Sequence, residues 1–124
     1  MDLNIKTRDN ERARIRDHGE VFTQEREVNA MLDLVKHETE RIESRFLEPA
    51  CGNGNFLAPI VDRKLNAVKK RYRKSQHEFE IMALLAVSSV YGVDILIDNV
   101  IACRERLFNI LNKVYSDLDR KSVV

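Results

Sequence analysis

One stretch of the chain combines residue types that can hold a cofactor. Residues 46–57 read FLEPACGNGNFL. A short apolar run is followed by Glu48, then by a loop that contains Gly52 and Gly54, and then by a second apolar run. This order predicts a buried strand that leads through a glycine loop into a helix. The N–H groups at a helix N-terminus attract negatively charged or strongly polar groups, and glycine lets a ligand approach closely. We therefore expect these residues to border a site for a nucleotide-like cofactor.

A second acidic residue follows the next apolar run. Residues 90–95 read VYGVDI, which places Asp94 near the end of a predicted strand and Ile95 directly after it. A carboxylate at this point of an α/β sheet can grip a ribose diol, and Ile95 can lie against an adenine ring. Glu48 can meet a cationic group or hydrogen-bond the glycine loop. The alternative is that Glu48 and Asp94 only cap backbone groups, but a generic α/β fragment seldom supplies both loop and carboxylate.

The elements that must position these residues follow from the spacing of apolar residues. Helices are predicted over about residues 24–43, 54–73 and 76–89, and a closing helix runs to about residue 118. Strands are predicted over about residues 46–49 and 90–95. The apolar face of the second helix comprises Phe56, Leu57, Ile60, Val61, Leu65 and Val68, and the third helix should pack inward through Phe79, Met82, Ala83, Leu84 and Ala86.

The order of these elements predicts an α/β fold with two parallel strands joined by a right-handed crossover. Parallel strands are normally covered on both faces and flanked by further strands. Two strands alone leave open edges, so the predicted sheet is incomplete. Its missing strands would come from a partner chain or from a larger protein of which this is the N-terminal part. Residues 1–17 are densely charged and predict a solvated arm ahead of a domain at residues 18–124.

Composition limits the class of protein. The chain of 124 residues suffices for one domain but is short for a complete α/β enzyme. Its 44% apolar and 33% charged residues are typical of a globular chain, and a net charge of +1 gives no overall attraction to nucleic acid. A local basic cluster at a predicted helix end is usually only solvated, although it can contact phosphates. This cluster consists of Lys69, Lys70, Arg71, Arg73 and Lys74.

The cysteines and the apolar stretches predict the cellular compartment in which this chain is found. Cys51 and Cys103 are far apart in sequence and have no metal-ligand spacing, so neither a disulfide framework nor a zinc site is expected. No base stands beside Cys51, so catalysis by its thiol is not expected. The N-terminus lacks an apolar signal core and residues 81–93 are too short to span a bilayer, which predicts a cytoplasmic chain. Three histidines in charged surroundings are interpreted as solvated: His18, His37 and His77.

The glycine loop does not match the dinucleotide-binding fingerprint, because Leu57 stands where G-x-G-x-x-G has its third glycine. It resembles instead the S-adenosylmethionine loop of the adenine-specific (N6) DNA methyltransferases of restriction–modification systems. Three ordered motifs carry this resemblance: the loop at residues 48–57, a second motif at residues 91–107, and the segment at residues 19–32 that closes over the methionine end. Together they cover about residues 18–110, and they imply a partial Rossmann-like methyltransferase fold.

The resemblance also implies a set of cofactor-binding residues. Phe22 and Thr23 would contact the methionine moiety, and Glu48 would lie near its ammonium group. Asp94 would hold the ribose hydroxyls and Ile95 would flank the adenine. The remaining implied residues line the loop: Ala50, Gly52 and Gly54.

The family's catalytic signature is not in this chain. That signature is an Asp/Asn/Ser-Pro-Pro-aromatic tetrad that grips a flipped adenine, and the prolines here are Pro49 and Pro59 alone. The resemblance thus implies the S-adenosylmethionine-binding part of a DNA adenine-N6 methyltransferase, inactive by itself, without membrane or metal. DNA would bind the intact enzyme, and a complementing catalytic chain or downstream domain would supply the chemistry. Two alternatives stay open: a non-enzymatic α/β subunit that completes its sheet on a partner chain, and an inactive remnant.

Overall fold

A computed structural model of the chain describes residues 24–122 as five α-helices and two short β-strands. In chain order these are α1 (Glu25–Asp33), α2 (Lys36–Thr39), β1 (Phe46–Glu48), α3 (Leu57–Tyr72), α4 (Gln76–Ser88), β2 (Val90–Gly92) and α5 (Ile97–Ser122). The predicted α/β order is therefore present, except that the first helix is divided. The charged arm at residues 1–17 and the candidate site residues Phe22 and Thr23 lie outside the described residues.

The two strands form a parallel sheet, as the sequence predicted. Glu48 stands opposite Gly92 at the carboxyl end of the pair. Two hydrogen bonds extend the pairing into the loops: the Val93 N–H donates to the Glu48 carbonyl at 3.0 Å, and the Cys51 N–H donates to the Val93 carbonyl at 2.9 Å. Both strands end earlier than predicted. In β1 the next residue is Pro49, which has no N–H for the ladder.

The single helix predicted over residues 24–43 is wrong, because the chain turns at Leu34 and Val35. Val35 has φ −120° and ψ 33°, outside the helical region. The N–H groups of both residues donate to carbonyls three positions back, which is the pattern of a tightened helical turn. The turn redirects the chain so that Thr39 and Ile42 are buried, whereas Leu34 remains exposed to solvent.

The helices cover one face of the sheet with two apolar clusters, and α3 contributes to both. This arrangement confirms the predicted apolar face of α3, with Phe56 only partly buried just ahead of the helix. The first cluster buries Ile42, Val61, Leu65, Val68, Phe79, Ala83, Ala86 and Val114, and the second buries Val28, Leu32, Cys51, Leu57, Ile60 and Cys103.

One expectation about a buried helix face is wrong. Leu84 was predicted to pack inward but is 63% exposed, because the buried face of α4 runs through Phe79, Ala83 and Ala86 and each residue turns the helix by about 100°. On α5 the buried side includes Asn99 and Cys103. The apolar residues nearest to them in sequence, Ile97 and Ile101, consequently face solvent.

The second face of the sheet is uncovered by the described residues. Leu47 and Tyr91 stand opposite each other in the register and are 69% and 50% exposed. Val93 is exposed as well. Parallel sheets normally carry helices on both faces, so the second face of this two-stranded sheet is open among the described residues. None of the described helices is both long enough and apolar enough to cross a membrane.

A fully buried lysine joins three parts of the fold. Lys64 is 0% exposed, and its ammonium group lies 5.3 Å from the centre of the Phe46 ring. Burial lowers the pKa of Lys64 to about 8. Nothing in the sequence distinguishes this lysine from its neighbours on α3, because most of its partners are backbone carbonyls. The three N–H groups of Nζ are shared among four acceptors: the carbonyls of Arg41 at 3.1 Å, Ile42 at 3.0 Å and Ser44, and the Ser89 hydroxyl at 2.7 Å.

Candidate functional site

The glycine loop lies between β1 and α3, at the carboxyl edge of the sheet. Gly52 has φ +55° and Gly54 has φ +95°, both in the left-handed region that favours glycine. The Gly54 N–H donates to the Cys51 carbonyl at 3.0 Å, and the Gly54 carbonyl accepts the Ala58 N–H at 2.8 Å. The loop therefore occupies residues that were predicted to be helical, and α3 begins at Leu57.

Two glycines lie where an added side chain would be crowded by its neighbours. A Cβ on Gly54 would lie 3.1 Å from the Cys103 Sγ on α5. A Cβ on Gly92 would lie 2.5 Å from Leu57 Cδ1 and 2.9 Å from Cys51 Cβ. The loop therefore packs directly against β2 and α5. The part played by Gly92 was not expected from the sequence. Its signal was a glycine inside a predicted strand, which often marks a close backbone approach.

Asp94 connects the loop to the second strand and to α5. Its Oδ2 accepts the Gly52 N–H at 2.9 Å, and its Oδ1 accepts the Leu96 N–H at 2.8 Å. The Asn99 side-chain amide also donates to Oδ1, at 3.2 Å. These are the bonds of the capping interpretation raised from the sequence, and they hold the carboxylate directly against the glycine loop.

The other predicted site residues lie at the same edge. Glu48 is half-buried, and its Oε1 accepts the Ala50 N–H at 3.1 Å. Ile95 is 82% exposed and presents an apolar side chain next to Asp94. The structure thus brings together the site residues predicted from β1, the loop and the end of β2. Phe22 and Thr23 stay predictions because they lie outside the described residues.

The loop also holds a polar atom that could serve a ligand. The Asn53 side-chain oxygen is buried, and no described residue donates a hydrogen bond to it. A buried acceptor without a donor is costly, and a ligand N–H or O–H reaching the loop would satisfy it. The neighbouring Asn55 is held differently, because its side-chain oxygen accepts a bond from Arg106 on α5 at 3.0 Å.

The two cysteines meet beneath the loop, although they are far apart in sequence. Both are free and buried in the same apolar cluster, and the Cys51 thiol donates to the Gly52 carbonyl at 3.5 Å. Burial raises the pKa of Cys51 to about 11, and it raises the pKa of Cys103 as well. A thiol held in its protonated form is a poor nucleophile. Among residues 24–122, no group of three or more His, Cys, Asp or Glu side chains could hold a metal ion.

Comparisons with known proteins relate part of this chain to a methyltransferase. A segment of 51 residues is 41% identical to the Type II methyltransferase M.PaeR7I of Pseudomonas aeruginosa. The match covers 40% of this chain and 9% of that protein, so the chain corresponds to a small part of the relative's length. A search of protein-family models finds no match, and no solved structure matches the chain.

Proposed function

We propose that this chain is the S-adenosylmethionine-binding portion of a site-specific DNA adenine-N6 methyltransferase. The observation that carries the proposal is that the glycine loop, Glu48 and Asp94 meet at the carboxyl edge of the parallel pair β1 and β2. The partial identity to a methyltransferase supports it independently. Methyl transfer to adenine N6 would belong to the intact enzyme, because the Pro-Pro-aromatic tetrad is not in this chain.

The residues at this edge fit the parts of S-adenosylmethionine. Asp94 would accept hydrogen bonds from the ribose hydroxyls, and the exposed Ile95 would pack against the adenine. Glu48 would face the ammonium group, and the glycine loop allows the ligand close to the backbone at Gly52 and Gly54. When bound, the cofactor supplies the methyl group. The residues of this chain bind and orient it.

Phe22 and Thr23 would complete the site at the methionine end, by the resemblance of residues 19–32 to the closing segment of that family. With Ala50 in the loop, they make up the cofactor-binding set proposed here. DNA, as the substrate of the intact enzyme, and a complementing chain or domain are part of the same proposal.

Calorimetric titration of the chain with S-adenosylmethionine tests the proposal. Asp94→Ala should weaken binding, but this substitution also removes the bonds that hold the loop. Ile95→Ser is the cleaner variant, because Ile95 is 82% exposed and contributes little to packing. Leu34→Ser is its matched control, since Leu34 is 83% exposed and directly follows α1, outside the loop and the predicted site residues.

Ile95→Ser should weaken binding about tenfold, which corresponds to about 1.4 kcal/mol of lost apolar contact. Leu34→Ser should leave the affinity within about twofold of the unmodified chain. A cooperatively folded chain that does not bind S-adenosylmethionine rules the proposal out. Equal effects of the two substitutions would mean that the adenine does not lie against Ile95.

A second candidate function is favoured by the open sheet. A non-enzymatic α/β subunit would complete its sheet on a partner chain, covering Leu47, Tyr91 and Val93. A folded chain without affinity for S-adenosylmethionine would favour this candidate. A chain that melts without cooperativity would instead indicate an inactive remnant.

A further inference from the structure

Asn53 stands at the centre of the glycine loop, between Gly52 at φ +55° and Gly54 at φ +95°. The residue is partly exposed, but its side-chain oxygen is buried and receives no hydrogen bond from any described residue. Among the residues of 24–122 that are not exposed, it is the one buried side-chain oxygen or nitrogen without a partner. The oxygen therefore needs a donor that the described part of the chain does not supply.

Several backbone donors of the loop are already engaged. The Gly52 N–H donates to the Asp94 carboxylate at 2.9 Å, and the Ala50 N–H donates to the Glu48 carboxylate at 3.1 Å. The Gly54 N–H donates to a backbone carbonyl within the loop at 3.0 Å. A phosphate in a glycine loop is held by such N–H groups, and here acceptors of the protein occupy three of them. The loop thus offers a ligand an acceptor in place of these donors.

The charges beside the loop favour a cationic ligand group. Glu48 and Asp94 both place a carboxylate against the loop backbone, whereas the Arg106 guanidinium is engaged by the Asn55 side-chain oxygen at 3.0 Å. Two carboxylates repel a phosphate and attract a cation. An ammonium group has three donors and no acceptor, so it can bond to a carboxylate and to Asn53 together. The ligand group that suits this loop is therefore positively charged and rich in N–H donors.

We propose that the Asn53 side-chain oxygen accepts a hydrogen bond from the ammonium group of S-adenosylmethionine. The choice of this ligand rests on the proposed function, in which Glu48 faces the same ammonium group. Because that group has three donors, a single carboxylate leaves donors that still need an acceptor. Asn53 is then a further cofactor-binding residue, and it separates ligands that carry an amino group from ligands that lack one.

Asn53 should have opposite effects on the free and the bound chain. Without ligand its buried oxygen lowers stability, because folding removes its hydrogen bond to water and supplies no replacement. With ligand bound, the oxygen accepts from a charged donor, and such a bond is stronger than one between neutral groups. A residue that only supported the loop would instead stabilise the chain in both states.

Calorimetric titration and thermal melting of Asn53→Leu test both effects. Leucine has a similar volume but no acceptor, and Asn53 does not have the positive φ that leucine would resist. Asn53→Asp keeps the acceptor. Asn66→Leu is the matched control, because it makes the same change at an exposed position of α3, outside the loop. Two ligands are compared in every chain: S-adenosylhomocysteine, and its analogue in which hydrogen replaces the amino group.

Asn53→Leu should weaken the binding of S-adenosylhomocysteine about tenfold, which corresponds to about 1.4 kcal/mol. It should change the Kd of the deaminated analogue less than about twofold, because that ligand has no ammonium group to lose. The melting temperature of Asn53→Leu should not fall below that of the unmodified chain. Asn53→Asp should retain the affinity for S-adenosylhomocysteine within about threefold, and Asn66→Leu within about twofold.

Three results would overturn the role of Asn53. Equal losses for both ligands would mean that the residue acts on the shape of the loop and not on the amino group. A marked fall in the melting temperature of Asn53→Leu, or a failure of that variant to fold, would assign Asn53 to structural support. Unchanged affinity for S-adenosylhomocysteine would reject the hydrogen bond but leave the proposed function in place. A folded, unmodified chain that binds neither S-adenosylmethionine nor S-adenosylhomocysteine would reject both.

Discussion

The carboxylate of Asp94 accepts the Gly52 N–H at 2.9 Å and so joins positions 42 residues apart. The same carboxylate accepts the Leu96 N–H at 2.8 Å, just ahead of α5. The parallel pairing of β1 with β2 brings these groups to one edge of the sheet. One side chain therefore ties the loop between β1 and α3 to the junction between β2 and α5.

Gly92→Ala should destabilise the fold by about 2 kcal/mol, because the added Cβ would lie 2.5 Å from Leu57 Cδ1 and 2.9 Å from Cys51 Cβ. Urea denaturation followed by circular dichroism measures this loss. Combining the substitution with Leu57→Ala removes the nearest clashing atom. The double variant should therefore lose at least about 1 kcal/mol less than the sum of the single losses. Additive losses would mean that Gly92 is not confined by Leu57.

Lys64→Met should lower the free energy of unfolding by about 3 kcal/mol. Methionine has similar length but no donor, so the Ser89 hydroxyl and three carbonyls around Nζ would lose their partner. Lys70→Met is the matched control on the same helix, and because Lys70 is exposed its effect should stay within about 0.5 kcal/mol. Similar denaturation midpoints for the two variants would contradict a stabilising role of the hydrogen bonds made by Lys64.

The stability contributed by Lys64 should depend on pH. Burial lowers the pKa of Lys64 from 10.5 to about 8, so the folded chain gives up this proton at a pH where the unfolded chain keeps it. Between about pH 8 and pH 10.5 the unfolded state binds more protons at this site, and stability from this group rises with pH by at most about 1.4 kcal/mol per unit. The free energy of unfolding is measured against pH for both chains. Subtracting the values for Lys64→Met removes the contributions of the other titrating groups. A difference that stays flat across this window would refute the lowered pKa.

The thiols of Cys51 and Cys103 should react slowly in the folded chain. Burial raises the pKa of Cys51 from 9.0 to about 11, so its thiolate fraction at about pH 8 falls about a hundredfold. Reaction with a chromogenic disulfide at that pH, with and without denaturant, measures the difference. The single variants Cys51→Ser and Cys103→Ser assign each rate. Equal rates in folded and unfolded chains would show that the thiols are accessible, contrary to their burial.

Much of the candidate site could be predicted from short stretches of sequence. Local residue types predict both the loop at residues 46–57 and the position of Asp94, because glycines and acidic residues after apolar runs mark strand ends and turns. Parallel pairing followed from the helices between the two strands. These features depend on residues that are neighbours in the chain.

Other features depended on contacts between distant residues. The meeting of Cys51 with Cys103 is one case, and the confinement of Gly92 by Leu57 is another. The turn at Val35 is a third, because no glycine or proline marks it and its effect is to bury Thr39 and Ile42. The glycine at position 92 is visible in the local sequence, but the residue that confines it is not. The other two features leave no pattern in the local sequence.

The sequence by itself therefore determined the order of elements, the parallel strands and the residues of the loop, since periodicity and turn residues act locally. Only the tertiary structure decided which residues of α4 are buried, as the exposure of Leu84 shows. It also decided that Lys64 is buried against backbone carbonyls, which every residue carries and which no sequence pattern distinguishes. Burial depends on what packs against a surface, and that is set by the whole fold.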